Sequence, residues 1–254
     1  MFAEMARRQP GPVMNYLVAA ARTPEDPALH PIGTAGLCAA ANLGNAEARR
    51  QLLKVADDPS AEVRRMVIAC AAEGPQPGAS GVAAATRLLR DPDASIRVEA
   101  ARVLAQAVAR GGKVSAGVGD GLVTLVADPD REVRAVAIRA IAGLAAEAPK
   151  AAGAALIKAF ATGDESEKLL LLRTGRAIGT TELVEHAIAD ASPLVRVEAV
   201  DTALATGARV SPTVASALAD ADPQVRRAVL DRLGGSQDKL DAAELDRALA
   251  LAVR

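Results

Sequence analysis

The chain has no tryptophan, one tyrosine (Tyr16) and two phenylalanines (Phe2 and Phe160) among 254 residues. A core with so few rings is made of small side chains, and alanine fills much of the gap. Small side chains need close backbone approach, which suits helices stacked on helices better than a sheet rich in β-branched and aromatic residues. The same scarcity counts against base stacking, which needs π faces. Two histidines and two cysteines supply a zinc site poorly. Cys38 and Cys70 are also too few for a disulfide framework. They read as buried small hydrophobes, with a reducing, cytoplasmic setting as the default. A balance of 30 basic against 31 acidic residues leaves a net charge of −1. Such a chain has no global field drawing it to nucleic acid or to an anionic membrane. No apolar stretch approaches the roughly 20 residues of a transmembrane helix, so membrane insertion is not expected. Arg7-Arg8 ahead of the apolar run from Val13 to Ala21 resembles a signal segment weakly. Asn15 interrupts that run and Pro10 and Pro12 precede it, so it reads as the first amphipathic helix.

What the chain does have is a repeat. The pattern Asp-x-(Ser/Asp)-x-x-(Val/Ile/Leu)-Arg occurs at Asp58–Arg64, Asp91–Arg97, Asp128–Arg134, Asp190–Arg196 and Asp220–Arg226. A degenerate copy, Asp164 to Leu170, keeps every position but the arginine. A fainter first copy, Asp26 to His30, puts His30 where the arginine would be. Anchored on the apolar residue, the copies fall at 29, 63, 96, 133, 169, 195 and 225, a mean step of about 33 residues that is typical of helical repeats. The Ser or Asp three residues before the anchor (Ser60, Asp93, Asp130, Ser166, Ser192, Asp222) reads as an N-cap. Pro193 and Pro223 follow at the first helical position, where proline loses nothing. Apolar residues then recur at helical spacing, as in Val133, Ala137, Ile138, Ile141 and Leu144. A second helical stretch precedes each motif, so each unit is a helical hairpin. The Asp and Arg positions suit a ladder between neighbouring units at the hairpin turns, through Asp58, Arg64, Asp91, Arg97, Asp128, Arg134, Asp190, Arg196, Asp220 and Arg226. The alternative is a row of arginines for an anionic partner, since guanidinium geometry suits carboxylates inside and outside the protein equally.

On these residues the motif resembles a HEAT repeat of the short subclass first associated with phycobilisome lyases, over about residues 26 to 234. The resemblance implies an all-α, right-handed α-solenoid of about seven HEAT-like hairpins, with the second helix of each lining a concave surface. One domain, 1–254, is expected, with clear repeats at 46–234, a weak N-terminal repeat at 11–45 and a terminal helix at 240–254. Asp241-Ala242-Ala243-Glu244 is a plausible capping box for that helix. Two readings of it stay open: a capping helix, or the first helix of an eighth unit in a chain that is a fragment or stacks end to end.

Enzymes of similar fold find little support here. Deoxyhypusine hydroxylases hold di-iron through His-Glu pairs, whereas His30 precedes Pro31 and His186 precedes Ala187. The HEAT-like alkylpurine DNA glycosylases use aromatic residues in a basic groove, and Phe160 reads as core. Bilin lyases share the repeat, but no separate chromophore motif is present. The glycine-rich segment Gly111–Gly121 lacks the spacing of a phosphate loop and reads as a flexible connection, as does Pro75–Gly81. His186 reads as structural, and nothing convergent surrounds His30. No cofactor or catalytic residue is expected.

Surface remains. Positions six and seven beyond the anchor should approach the concave face. They carry Arg102, Arg139, Arg176 and Arg232, with Arg173 nearby, and Asp201 and Asp231 in the later units. The expected function is a non-enzymatic scaffold that binds a protein partner, an acidic segment, through Arg102, Arg139, Arg173 and Arg176. The alternatives are nucleic-acid binding by the same groove and a bilin-lyase-like accessory role.

Overall fold

A computed structural model describes residues 10–23, 26, 28–73, 79–109, 116–144, 149–205, 212–235 and 246. Among these the regular elements are fourteen α-helices, with no strand. They run α1 Pro10–Ala20, α2 Leu29–Asn42, α3 Ala46–Val55, α4 Ala61–Ala72, α5 Ala79–Leu88, α6 Ala94–Ala109, α7 Ala116–Leu125 and α8 Arg131–Leu144. Then follow α9 Pro149–Phe160, α10 Glu165–Ile178, α11 Glu182–Ala187, α12 Pro193–Ala205, α13 Pro212–Leu218 and α14 Pro223–Gly235. The chain divides into two compact units, Met1–Gly143 and Leu144–Arg254. In the first unit α2, α4 and α6 stack on one another, and α1, α3, α5 and α7 form a second row behind them. In the second, α10, α12 and α14 stack in the same way, with α9 against α11. Even-numbered helices are thus the second helices of hairpins, and odd-numbered ones the first.

Short aliphatic side chains make this stacking close. Leu17, Leu37, Ile96, Leu104, Ile138 and Ile141 are fully buried in the first unit, and Leu156, Leu171, Leu172 and Leu183 in the second. A Cβ at Gly33 would run into the backbone of Ala20 and Ala21, and one at Gly36 into Leu17, so α2 lies directly on α1. Phe160 is buried in α9, as its place in a first helix implies.

The structure shifts one repeat by two residues. In each regular copy the ladder arginine donates the first intrahelical bond to the cap carbonyl, as Arg64 N does to Ser60 O at 3.1 Å and Arg196 N to Ser192 O at 3.1 Å. In the degenerate copy that bond runs from Lys168 N to Asp164 O at 2.9 Å. Asp164 is therefore the cap, in a reciprocal capping box with Glu167. Ser166 lies inside the first turn, where its hydroxyl bonds to Asp164 Oδ1 at 2.8 Å. The anchor position falls on Glu167 rather than Leu169, and the basic residue is Lys168, so Leu170 does not stand in the arginine's place. Steps to the neighbouring anchors become 34 and 28 residues. In the first copy His30 N bonds to Asp26 O at 3.1 Å, which puts His30 in the arginine's register and makes Asp26 a cap.

Four further expectations are corrected. Ser60 makes no side-chain cap bond. Gly117, Gly119 and Gly121 belong to α7 and not to a loop, with Gly121 packed against the end of the Leu89 side chain. Ala79 to Gly81 likewise open α5. His186 is exposed on α11. The terminal helix at 240–254 lies outside the described residues except for Asp246, which is helical and exposed. Gly111–Ser115, Pro75–Gly78 and Arg7-Arg8 lie outside them too.

Candidate functional site

The repeat motif builds a set of loops that close on themselves and on the next repeat. Each motif aspartate first folds its own loop, with Oδ1 accepting the amide two residues on. The distances are 2.8 Å for Asp58 and Ser60, 2.9 Å for Asp91 and Asp93, 2.9 Å for Asp128 and Asp130, 2.9 Å for Asp190 and Ser192, and 2.8 Å for Asp220 and Asp222. Each motif arginine braces the same loop from the other side. Arg64 Nη1 donates to the carbonyls of Asp58 and Pro59 at 2.8 and 2.9 Å. Arg97, Arg134, Arg196 and Arg226 repeat this bond pair on their own loops.

The rest of the guanidinium reaches forward. Arg64 forks onto Asp91 at 2.6 and 3.0 Å, Arg97 onto Asp128 at 2.8 and 2.8 Å, and Arg196 onto Asp220 at 2.7 and 2.9 Å. Only arginine has the donors for both tasks, since a planar fork meets a carboxylate with two N–H groups while a third stays free for carbonyls. The pairing raises Arg64, Arg97 and Arg196 above the ordinary arginine range, chiefly through their bonds to Asp91, Asp128 and Asp220. Asp220 is held below the usual carboxylate range, first by its bond to Arg196.

Two rungs are built differently. Lys168 Nζ meets Asp190 Oδ2 at 2.6 Å and stands 5.3 Å from the centre of the Phe160 ring, a charge over a π face. Burial works against the charge of Asp190 and the Lys168 bond works for it, with a net lowering of its pKa. His30 replaces arginine in the first rung, and its Nε2 lies 2.9 Å from Asp58 Oδ2 in a nearly closed environment. The contact brings the imidazole and the carboxylate together without an aligned hydrogen bond at Nε2. A carboxylate therefore converges on His30, contrary to the expectation from sequence.

The candidate binding arginines lie elsewhere, six residues beyond each anchor on the exposed side of the second helices. In the first unit this row reads Ala35, Ala69, Arg102 and Arg139, all exposed. In the second unit it reads Arg173, Asp201 and Asp231; with the shifted register Arg173 takes the sixth position and Arg176 stands one turn further along. Several of these charges are already engaged. Arg102 bonds Glu99 at 2.6 Å and Glu132 of the next second helix at 2.8 Å. Arg173 reaches Glu198 at 3.4 Å, and Arg232 pairs with Asp201. Arg139 and Arg176 are exposed and have no hydrogen bond or ion pair among the described residues. No group of three or more His, Cys, Asp and Glu side chains is arranged to hold a metal among those residues.

Sequence reasoning missed the cysteines. Cys38 on α2 and Cys70 on α4 are joined by a disulfide, with Cα atoms 5.8 Å apart. Neighbouring repeats stack α2 directly on α4, which brings two side chains one period apart in sequence within bonding range. The 32-residue separation, matching one repeat step, was the available signal. Bonds of this kind persist in oxidising surroundings. The cytoplasmic setting rests on free thiols, and the bonded pair removes that support. No helix among the described residues is long and apolar enough to cross a membrane.

Residues 49–142 match the HEAT repeat family model. No curated protein matches the chain in sequence. Among solved structures, an engineered protein is 22% identical, with a TM-score of 0.48 over 94% of this chain and 68% of that one. A designed armadillo repeat protein in complex with the peptide (KR)4 is 19% identical, with a TM-score of 0.40 over 93% and 98% of the two chains. Designed armadillo proteins for modular peptide recognition are 21% identical, with a TM-score of 0.39 over 92% of this chain and 98% of that one.

Proposed function

We propose that the chain is a protein-binding scaffold without a catalytic centre, and that the exposed second-helix face of each unit takes an acidic peptide segment. One observation carries this reading: Arg139 and Arg176 are exposed and unpaired among the described residues, while the neighbouring Arg102 is tied down by two carboxylates. A guanidinium held ready in solvent is a ready donor for a carboxylate of a partner, and Ala142, one turn from Arg139, is small enough to let a peptide backbone approach. Arg64, Arg97 and Arg196 are unsuited to this task, since their donors are consumed inside the repeat stack. The likeness to the short repeats of phycobilisome lyases rests on the Asp-Pro-Asp-x-x-Val-Arg core and fits a scaffold as well as an accessory role.

The test is a fluorescence titration of a labelled octaglutamate peptide, with duplex DNA in parallel. Saturable peptide binding that falls at least tenfold in the Arg139→Glu, Arg176→Glu double variant supports the reading. Unchanged binding in a folded double variant, or tighter retention on DNA with a steep loss as salt rises, overturns it.

A further inference from the structure

Between the first hairpin and α3 lies a cavity of about 240 Å³. Its apolar wall is Val18 and Ala21 from the first-helix side, Leu37 from α2 and Val55 from α3, and Leu37 is fully buried. Arg22, Lys54 and Asp58 complete the lining, with Gln51 between them. In three other repeats an arginine forks onto the next aspartate and reaches back to its own loop carbonyls. At Asp58, one of the lining residues, His30 holds that register instead.

The polar groups around this space are unequal. Asp58 Oδ1 accepts the Ser60 amide at 2.8 Å, and Oδ2 lies 2.9 Å from His30 Nε2. Arg22 spends one N–H on Gln51 Oε1 at 3.0 Å, and Gln51 is itself fixed by Glu47, which holds the guanidinium at the rim. Lys54 has no hydrogen bond or ion pair among the described residues. The uncommitted donors are therefore all cationic, and the wall behind them is greasy. The surrounding frame is also rigid, because Gly33 and Gly36 seat α2 on α1 and the Cys38–Cys70 bond fastens α2 to α4.

We propose that this cavity binds a small amphipathic carboxylate, its tail against Val18 and Val55 and its head group on Arg22 and Lys54. The volume lies below the roughly 300–1,000 Å³ of drug-sized sites, which restricts the ligand to a short chain. The probe is hexanoate, compared by calorimetry with hexanol and hexylamine on the full chain with its disulfide intact. Saturable hexanoate binding at least tenfold tighter than either control is expected. Lys54→Gln, which removes no hydrogen bond or ion pair seen among the described residues, should weaken it about tenfold, and Val18→Phe, which fills the space, should abolish it while the helical circular dichroism is retained. Hexanoate that binds no tighter than hexanol, or binding that both folded variants leave unchanged, overturns the proposal.

Discussion

Arg97 makes four hydrogen bonds, two to the loop before its own helix and two to Asp128 of the next repeat. Removing one partner of a shielded charge pair strands the other, which costs about 3–5 kcal/mol when both are fully buried. With some solvent access at this rung, Arg97→Ala should lower stability by about 3 kcal/mol, read as a fall in the urea midpoint at unchanged slope. A change within experimental error would mean that the fork is ornamental. The rung at Asp220 carries a pH dependence. Its pKa is lowered in the folded state by Arg196, so its stabilisation is present above the unfolded carboxylate pKa of about 3.9 and disappears as pH falls through the lower folded value. Melting temperature should therefore drop on acidification below about pH 4, and Asp220→Asn should flatten that drop. An equally steep decline in the variant would assign the acid sensitivity to other groups. The aspartates and arginines of these rungs were visible in the sequence because one residue type does one job at a fixed spacing. Lys168 was hidden because two cap patterns overlap there: Asp164 with Glu167 competes with Ser166, and the apolar run Leu169–Leu172 fits either register. In the shifted register Lys168→Ala should destabilise the second unit, whereas Leu170→Ala should cost no more than an ordinary half-buried leucine.

At the scale of elements, the first hairpin is attached unlike the others. It has a histidine in place of the bracing arginine and a covalent link from α2 to α4. For a closed loop of this size, 32 residues apart in sequence, the chain-entropy estimate is about 3–4 kcal/mol. Cys38→Ser, or reduction by dithiothreitol, should lower stability by that amount and speed hydrogen exchange in α1 and α2 first. Uniform acceleration through all helices, or no change, would argue that the bond does not anchor this hairpin. Helix starts were legible from the cap and anchor pattern, since the physics of orphaned amides is local. The start of α7 was not. Three glycines in six residues suggest a loop, yet all three lie in the helix, one of them against the end of the Leu89 side chain. The disulfide was illegible for a related reason: composition counts cysteines, but only the stacking of repeats decides which ones meet.

At the scale of the whole molecule, each of the two units stacks repeats that touch their neighbours and so sets equivalent positions side by side. One face, formed by the ladder loops, is consumed in holding repeats together. The second-helix row is where function is assigned, and in it the charges are partly cancelled by neighbours, a fact that positions along a sequence do not reveal. Arg102 and Arg139 occupy the same position of their repeats, yet one is clamped by Glu99 and Glu132 and the other is free among the described residues. The most direct measurement is hydrogen–deuterium exchange of the chain with and without saturating octaglutamate. Protection concentrated in α8 and α10, around Arg139 and Arg176, with first helices unchanged, is the expected result. Protection confined to α3, α5 or the other first helices, or none at a peptide concentration that saturates binding, would contradict the assignment of function to the second-helix face.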